Sequence, residues 1–179
     1  MWGHPGKKLL FMGQEFGQWR EWAETRELDW WLLEFPRHQG VLGLVRELNR
    51  LHRAEAALHA LDHAAQGFGW IDADDAQHST FSWVRYGGVG TAPVAVLSNF
   101  TPVPREGRLI GLPAAGWWDE ILNTDAPDWG GSGMGNPGGV QALPEPAYGF
   151  PASARVTLPP LATIYLKPRT GGAQNDAKG

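Results

Sequence analysis

Between Phe68 and Lys167 the hydrophobic pattern repeats every second residue in short runs, which limits the possible folds more than any other feature of the chain. Phe68 and Trp70 alternate with small residues until Asp72-Ala73-Asp74-Asp75 turns the chain. Thr80-Phe81-Ser82-Trp83-Val84-Arg85-Tyr86 alternates cleanly and is stopped by Gly87-Gly88. Pro93–Phe100 is mostly apolar, and Arg108–Leu112, Trp117–Leu122, Ala154–Leu158 and Ala162–Lys167 are further short runs. Successive side chains on a strand point to opposite faces, so a series of such runs at regular spacing predicts an antiparallel sandwich. The 24 Gly and 14 Pro supply the turns such a fold needs. Between Asn123 and Tyr148 lies a Gly- and Pro-rich stretch without repeats.

Upstream the period becomes helical. Val41, Leu44, Val45, Leu48, Leu51 and His52 fall three or four residues apart, predicting a helix from Arg37 to about Ala57 with Pro36 at its first position. Arg46, Glu47, Arg50 and Arg53 form the opposite, solvated face, where Glu47 reaches Arg50. The stripe packs a core and carries no chemistry, with His52 a core histidine bonded to backbone. Trp19–Phe35 reads as a long aromatic loop containing one helical turn near Asp29, and Met1–Gly6 reads as a turn. Leu9–Met12, four apolar residues ended by Gly13, reads as a strand buried on both faces.

The chemistry follows that short strand. Gln14, Glu15, Trp19, Arg20 and Trp22 set aromatic rings beside hydrogen-bonding groups, the composition of a carbohydrate site. Equally, the Trp residues pack on the domain and Glu15 pairs with Arg20. Asp72, Asp74 and Asp75 lack the calcium-loop spacing and read as a solvated hairpin tip. The scattered His residues offer no zinc-ligand pair. Gly130-Gly131-Ser132-Gly133 lacks the Lys-Ser/Thr of a phosphate loop and reads as a turn with Ser132 bonding backbone. Trp117, Trp118 and Trp129 form a surface sugar platform or, equally, strand and loop anchors of the sandwich core; one of the adjacent pair belongs in the core, and exposure of the other is left open.

With 42% hydrophobic and 19% charged residues the chain is globular, and a net charge of −4 without a basic block gives nucleic acid no electrostatic support. The absence of Cys excludes disulfides and thiolate chemistry. With no signal peptide or long apolar span, no membrane partner is expected and the default location is cytoplasmic.

Gly3-His4-Pro5-Gly6-Lys7-Lys8-Leu9-Leu10-Phe11-Met12-Gly13-Gln14-Glu15-Phe16-Gly17-Gln18, then Arg20-Glu21-Trp22 and Leu28-Asp29-Trp30, resembles bacterial 1,4-alpha-glucan branching enzymes of the alpha-amylase superfamily. The likeness continues through Leu48-Asn49-Arg50-Leu51, Ser98-Asn99-Phe100-Thr101-Pro102-Val103-Pro104-Arg105, Leu122-Asn123-Thr124-Asp125 and Gly130-Gly131-Ser132-Gly133, and closes at Leu158-Pro159-Pro160-Leu161-Ala162-Thr163. Ala147-Tyr148-Gly149 stands where the family more often has Trp-His-Gly, so the resemblance carries no sugar role over to it.

The resemblance implies a mainly β chain: a C-terminal antiparallel β-sandwich preceded by the last strand and helix of a (β/α)8 barrel. The expected division is residues 1–61 for the end of the barrel, 62–169 for the sandwich and 170–179 for a disordered tail. It also implies a retaining glucanotransfer that forms α-1,6 branches, with a carboxylate nucleophile and a second carboxylate as acid and then base. Those groups belong to the fourth, fifth and seventh barrel strands, whereas Leu9–Met12 resembles the eighth; they are expected before Met1, and the chain alone is expected to be inactive. Gln14, Glu15, Trp19, Arg20, Trp22, Asp29 and Trp30 are the implied substrate-proximal residues. The implied partners are an alpha-glucan (glycogen or amylose) and the missing N-terminal barrel portion, with no metal or organic cofactor. The alternatives are a non-catalytic glucan-binding or structural module, or a piece of another superfamily enzyme such as a debranching hydrolase.

Overall fold

A computed structural model describes residues 1–169, and the tail expected from residue 170 lies outside the described residues. Among the described residues one α-helix, α1 (Pro36–Ala54), precedes eight strands: β1 (Phe68–Asp72), β2 (Thr80–Arg85), β3 (Val94–Asn99), β4 (Arg105–Leu112), β5 (Gly116–Asn123), β6 (Val140–Ala142), β7 (Ala152–Leu158) and β8 (Ala162–Pro168). Six strands form one sheet in the order β1-β2-β3-β8-β5-β6, and β4 and β7 form a second. Every pairing between them is antiparallel. No helix is long and apolar enough to cross a membrane among the described residues.

The two sheets enclose one core, built from alternate residues of the strands: Val84 of β2, Leu97 of β3, Ile110 and Leu112 of β4, Val156 of β7, Ile164 and Leu166 of β8. Each such side chain, buried, contributes roughly 1.5–3 kcal/mol relative to exposure. The intervening residues Trp83, Val94, Val96 and Tyr165 face the other way and are covered by Leu48 and Leu51 of α1 with Ala57 and Leu58. The central strand β3 is therefore buried along its whole length, which explains why Pro93–Phe100 reads as a continuous apolar run.

The helix has Pro36 in its first turn, where a missing N–H costs nothing, and Arg50 Nε donates to Glu47 at 2.8 Å on its outer face. Its apolar stripe divides, however. Leu48 and Leu51 are buried, but Val41 is 36% exposed, because that end of α1 lies beside Gly17 in the opening segment instead of over the sheet. His52 is also corrected. Its Nε2 is buried without a hydrogen-bond partner among the described residues, whereas the buried His38 does bond backbone, its Nδ1 donating to the Phe16 carbonyl at 2.8 Å. Desolvation lowers the His52 pKa, with Lys8 and His59 adding to the effect.

The buried strand expected at Leu9–Met12 is not formed. Leu9 is 78% exposed, Phe11 and Met12 are about half exposed, and the segment has no strand partner among the described residues. A parallel strand needs hydrogen-bonded neighbours on its edges; here the Phe11 N–H donates instead to Gln14 Oε1 at 3.0 Å in a local turn.

The first residues are held more firmly. Gly3 lies flat on the outer sheet face, where a β-carbon would come 2.8 Å from Val96 Cγ1. Its carbonyl accepts from Trp83 Nε1 at 2.8 Å and from Arg85 Nη1 at 3.1 Å. Arg85 is fully buried and also donates to the Gly67 carbonyl at 3.1 Å and to the Asp62 carboxylate.

Candidate functional site

Gly13 and Gly17 flank a single 3-10 turn, Gln14–Phe16, and both take positive φ, 87° and 68°. That double reversal drives Phe16 inward to full burial and turns Gln14 outward. After it the chain runs into a loop closed by its own polar side chains. Gln18 Oε1 accepts from the Asp29 backbone N–H at 2.8 Å, and Gln18 Nε2 donates to the Arg20 carbonyl at 2.9 Å. Arg20 grips the Asp29 carboxylate with two nitrogens, Nε donating at 2.8 Å and Nη2 closer still. Asp29 is buried, and its hydrogen bond from Arg20 holds its carboxyl below the usual carboxylate range against the opposing effect of burial.

The partner of Arg20 is thus Asp29, not Glu15, which corrects the pairing weighed from sequence. Arg20 and Asp29 brace the loop, and Glu15 stays half-buried beside it. Gln14, Trp19, Arg20 and Trp22 line one open groove of about 560 Å³, together with Phe11, Met12, Gln18 and Glu21. Glu15, Asp29 and Trp30 do not line it; Trp30 packs on Phe16 with ring centroids 5.1 Å apart. Sequence reading missed Phe11, which meets Trp22 edge-on at 5.6 Å, because the apolar run suggested a buried strand. Trp19 is 72% exposed and rests edge-on against Trp31 and His38. Flat rings beside amide and carboxylate groups give the groove the chemistry to contact a sugar chain.

The three tryptophans left open are resolved by the sandwich. Trp118 is fully buried in the core and donates to the Ala114 carbonyl at 3.0 Å. Its neighbour Trp117 is half-buried beneath Arg169, whose guanidinium carbon sits 5.3 Å from the ring centroid. Trp129 packs on Gly40 and Gly43 of α1. The exposed aromatic stripe on the sheet is elsewhere: Trp70, Phe81 and Phe100, at 6.4 and 5.8 Å between successive rings. The alternation of β1 and β2 contains its signal, since Trp70 and Phe81 sit on the same outward face as Trp83 but beyond the reach of α1.

Asp72 and Asp75 both pair with Arg108, at 2.7 and 2.9 Å, and Asp75 also accepts from Thr80 Oγ1 at 2.8 Å, so of the three only Asp74 is exposed as expected of a solvated tip. In the Gly130–Gly133 turn, Ser132 Oγ accepts from the Met134 N–H at 3.2 Å and also bonds Asp125.

The folded unit is an all-β domain with a helix and an aromatic loop packed at one side. Residues 70–169, more than half of the chain, match the family described as Alpha amylase, C-terminal all-beta domain, and the chain belongs to that family. Over nearly its whole length it is similar to curated proteins called 1,4-alpha-glucan branching enzyme GlgB. It is 54% identical to that of Pseudomonas putida over 94% of this chain and 23% of that protein. It is 58% identical to that of Mesorhizobium japonicum over 93% of this chain and 22% of that protein. The chain therefore spans under a quarter of the length of these two relatives. An alpha-amylase crystal structure from H. orenii aligns at a TM-score of 0.45 and 16% identity over 72% of this chain and 20% of that one.

Proposed function

We propose that this chain is the C-terminal portion of a 1,4-alpha-glucan branching enzyme, with residues 1–61 ending the catalytic barrel and 62–169 forming its all-β domain. The observation that carries this reading is identity above 50% to branching enzymes across more than 90% of the chain, continuous from the aromatic loop through the sandwich. The exposed apolar surface between Leu9 and Phe35 supports it too. Leu9, Phe11, Trp19, Trp31 and Phe35 are each about half exposed or more, and a barrel wall is a natural cover for such a face.

The reaction so assigned cuts an α-1,4-glucan, holds the fragment on a carboxylate, and passes it to a sugar hydroxyl to make an α-1,6 branch. The nucleophile and acid/base carboxylates are supplied from outside this chain. Within it, Gln14, Trp19 and Trp22 lie along the substrate, and Glu15 and Trp30 stand behind them. Arg20 and Asp29 fix the loop that presents these groups, and the Trp70–Phe81–Phe100 stripe suits the same glucan class. The proposed location is cytoplasmic.

The test is an iodine-stain and reducing-end assay on amylose with the purified chain, alone and mixed with the complementary N-terminal portion of a branching enzyme. Silence alone and branching on mixing is the expected pair of results. New α-1,6 linkages from the chain by itself would overturn the assignment of the reactive carboxylates.

A further inference from the structure

A pocket of about 470 Å³, within the range of ligand sites, lies at the start of β4, away from the groove at Trp19. Arg105, Arg108, Glu106, His78 and Tyr148 line it. Two backbone irregularities bring these residues together. Arg105 pairs with Leu158 and Arg108 with Val156, so β4 carries one residue more than β7 across this interval, and Gly107 within it takes φ 64°. Residues three apart on a regular strand point to opposite faces; the extra residue of the bulge turns both arginines into one pocket. Tyr148, with φ 51°, shares a two-residue hairpin turn with Gly149, closed by Ala147 and Phe150. Asn, Asp or Gly ordinarily fills such a turn, so a tyrosine there is locally unfavourable, yet its half-exposed ring borders the pocket.

The polar groups are unequally satisfied. Arg108 is neutralised by Asp72 and Asp75, and His78 Nδ1 lies 2.7 Å from Asp75. Arg105 has no carboxylate partner among the described residues, and its Nε is buried without an acceptor. Its one side-chain hydrogen bond among them is from Nη2 to Thr101 Oγ1 at 3.4 Å. The Nη1 group has no hydrogen-bond partner among the described residues and is not buried, so the outer end of the guanidinium is the part that can donate to a ligand oxygen. The carboxylates of Glu106, Asp72 and Asp75 outnumber the two arginines, which disfavours an anion and favours a neutral polyhydroxyl ligand.

We propose that this pocket is a non-catalytic site for one glucosyl unit of an α-glucan. The pyranose lies on the Tyr148 ring, Arg105 donates to neighbouring sugar hydroxyls, and Glu106 accepts from another. The proposal rests on the glucan reading above and adds to it a site separate from both the groove and the Trp70 stripe.

Maltoheptaose titrated into the ¹⁵N-labelled chain tests it by NMR. Amide shifts are expected at His78, Glu106–Leu109 and Tyr148–Gly149. Tyr148→Asn, which suits the turn, should weaken the response there about tenfold while leaving any shift of the Trp70 indole unchanged. Arg105→Gln should weaken it similarly, and well-dispersed spectra will show that both variants fold. Shifts confined to the Trp70 stripe or the Trp19 groove would overturn the pocket and leave the glucan reading standing. No shift anywhere at millimolar sugar would remove both. Inorganic phosphate moving these amides where maltoheptaose does not would overturn the proposal in favour of an anion site.

Discussion

Arg85→Ala should destabilise the chain by about 3 kcal/mol, and the structure shows where that loss arises. The Arg85 side chain is fully buried and donates to two carbonyls and to Asp62. Neither carbonyl is orphaned by the substitution, because Gly3 keeps Trp83 Nε1 at 2.8 Å and Gly67 keeps the Tyr86 N–H at 3.1 Å. What remains is an unpaired Asp62 carboxylate and the void left by the guanidinium. Removing one partner of a buried pair costs on the order of 3–5 kcal/mol, and the Asp62 side chain is 24% exposed and partly rehydrates, which selects the low end. Against a total stability of roughly 5–15 kcal/mol the change is readily measured as a shift in the urea midpoint at constant slope. Arg85→Met refills the volume without the charge, so a similar loss for Met would assign the effect to the ion pair. A loss below about 1 kcal/mol for Ala, or strict additivity with Asp62→Asn in a double-mutant cycle, would refute the reasoning.

Gly40→Ala should lower the melting temperature despite the better helix propensity of alanine, because its β-carbon would come 2.5 Å from the Trp129 carbonyl oxygen; an unchanged value would mean that the loop yields freely. Stability should fall as pH drops below about 6.5, since the unfolded His52 binds a proton there while the folded one, its pKa lowered by burial, does not. Asp29, with its pKa lowered by Arg20, adds a further loss at lower pH, through the carboxylate range; His52→Gln should flatten only the upper part of a urea-midpoint profile. Hydrogen exchange should protect Thr80–Phe100 and Ala154–Lys167 far better than Lys7–Met12, and equal protection would contradict the unpaired state of that segment.

Much of the sandwich is legible in the sequence because alternation is a local signal. Thr80–Arg85 alternates, and its residues go to opposite faces of the sheet. The three residues of β6 escape notice inside a Gly- and Pro-rich stretch, since too few residues alternate to register. Leu9–Met12 misleads for the opposite reason: its apolar character is local, but strand formation depends on neighbours that four residues cannot specify. Long-range pairing is equally invisible. Nothing in the spacing of Arg20 and Asp29 or of Asp62 and Arg85 announces their ion pairs, and the bulge that gathers Arg105 and Arg108 appears only once β7 lies alongside. The groove residues Gln14, Trp19, Arg20 and Trp22 were legible because they cluster within nine residues of chain, inside one loop.

The central claim is that this chain serves a branching enzyme as its C-terminal portion, and one exchange experiment tests it directly. Residues 1–169 would replace the matching segment of a curated branching-enzyme relative, and α-1,6 linkage formation on amylose would be measured for the purified chimera. The account predicts branching within about tenfold of the parent, since the aromatic loop, the helix and the sandwich should meet the same barrel. A chimera that folds cooperatively yet forms no branches, or only hydrolyses amylose, would contradict it.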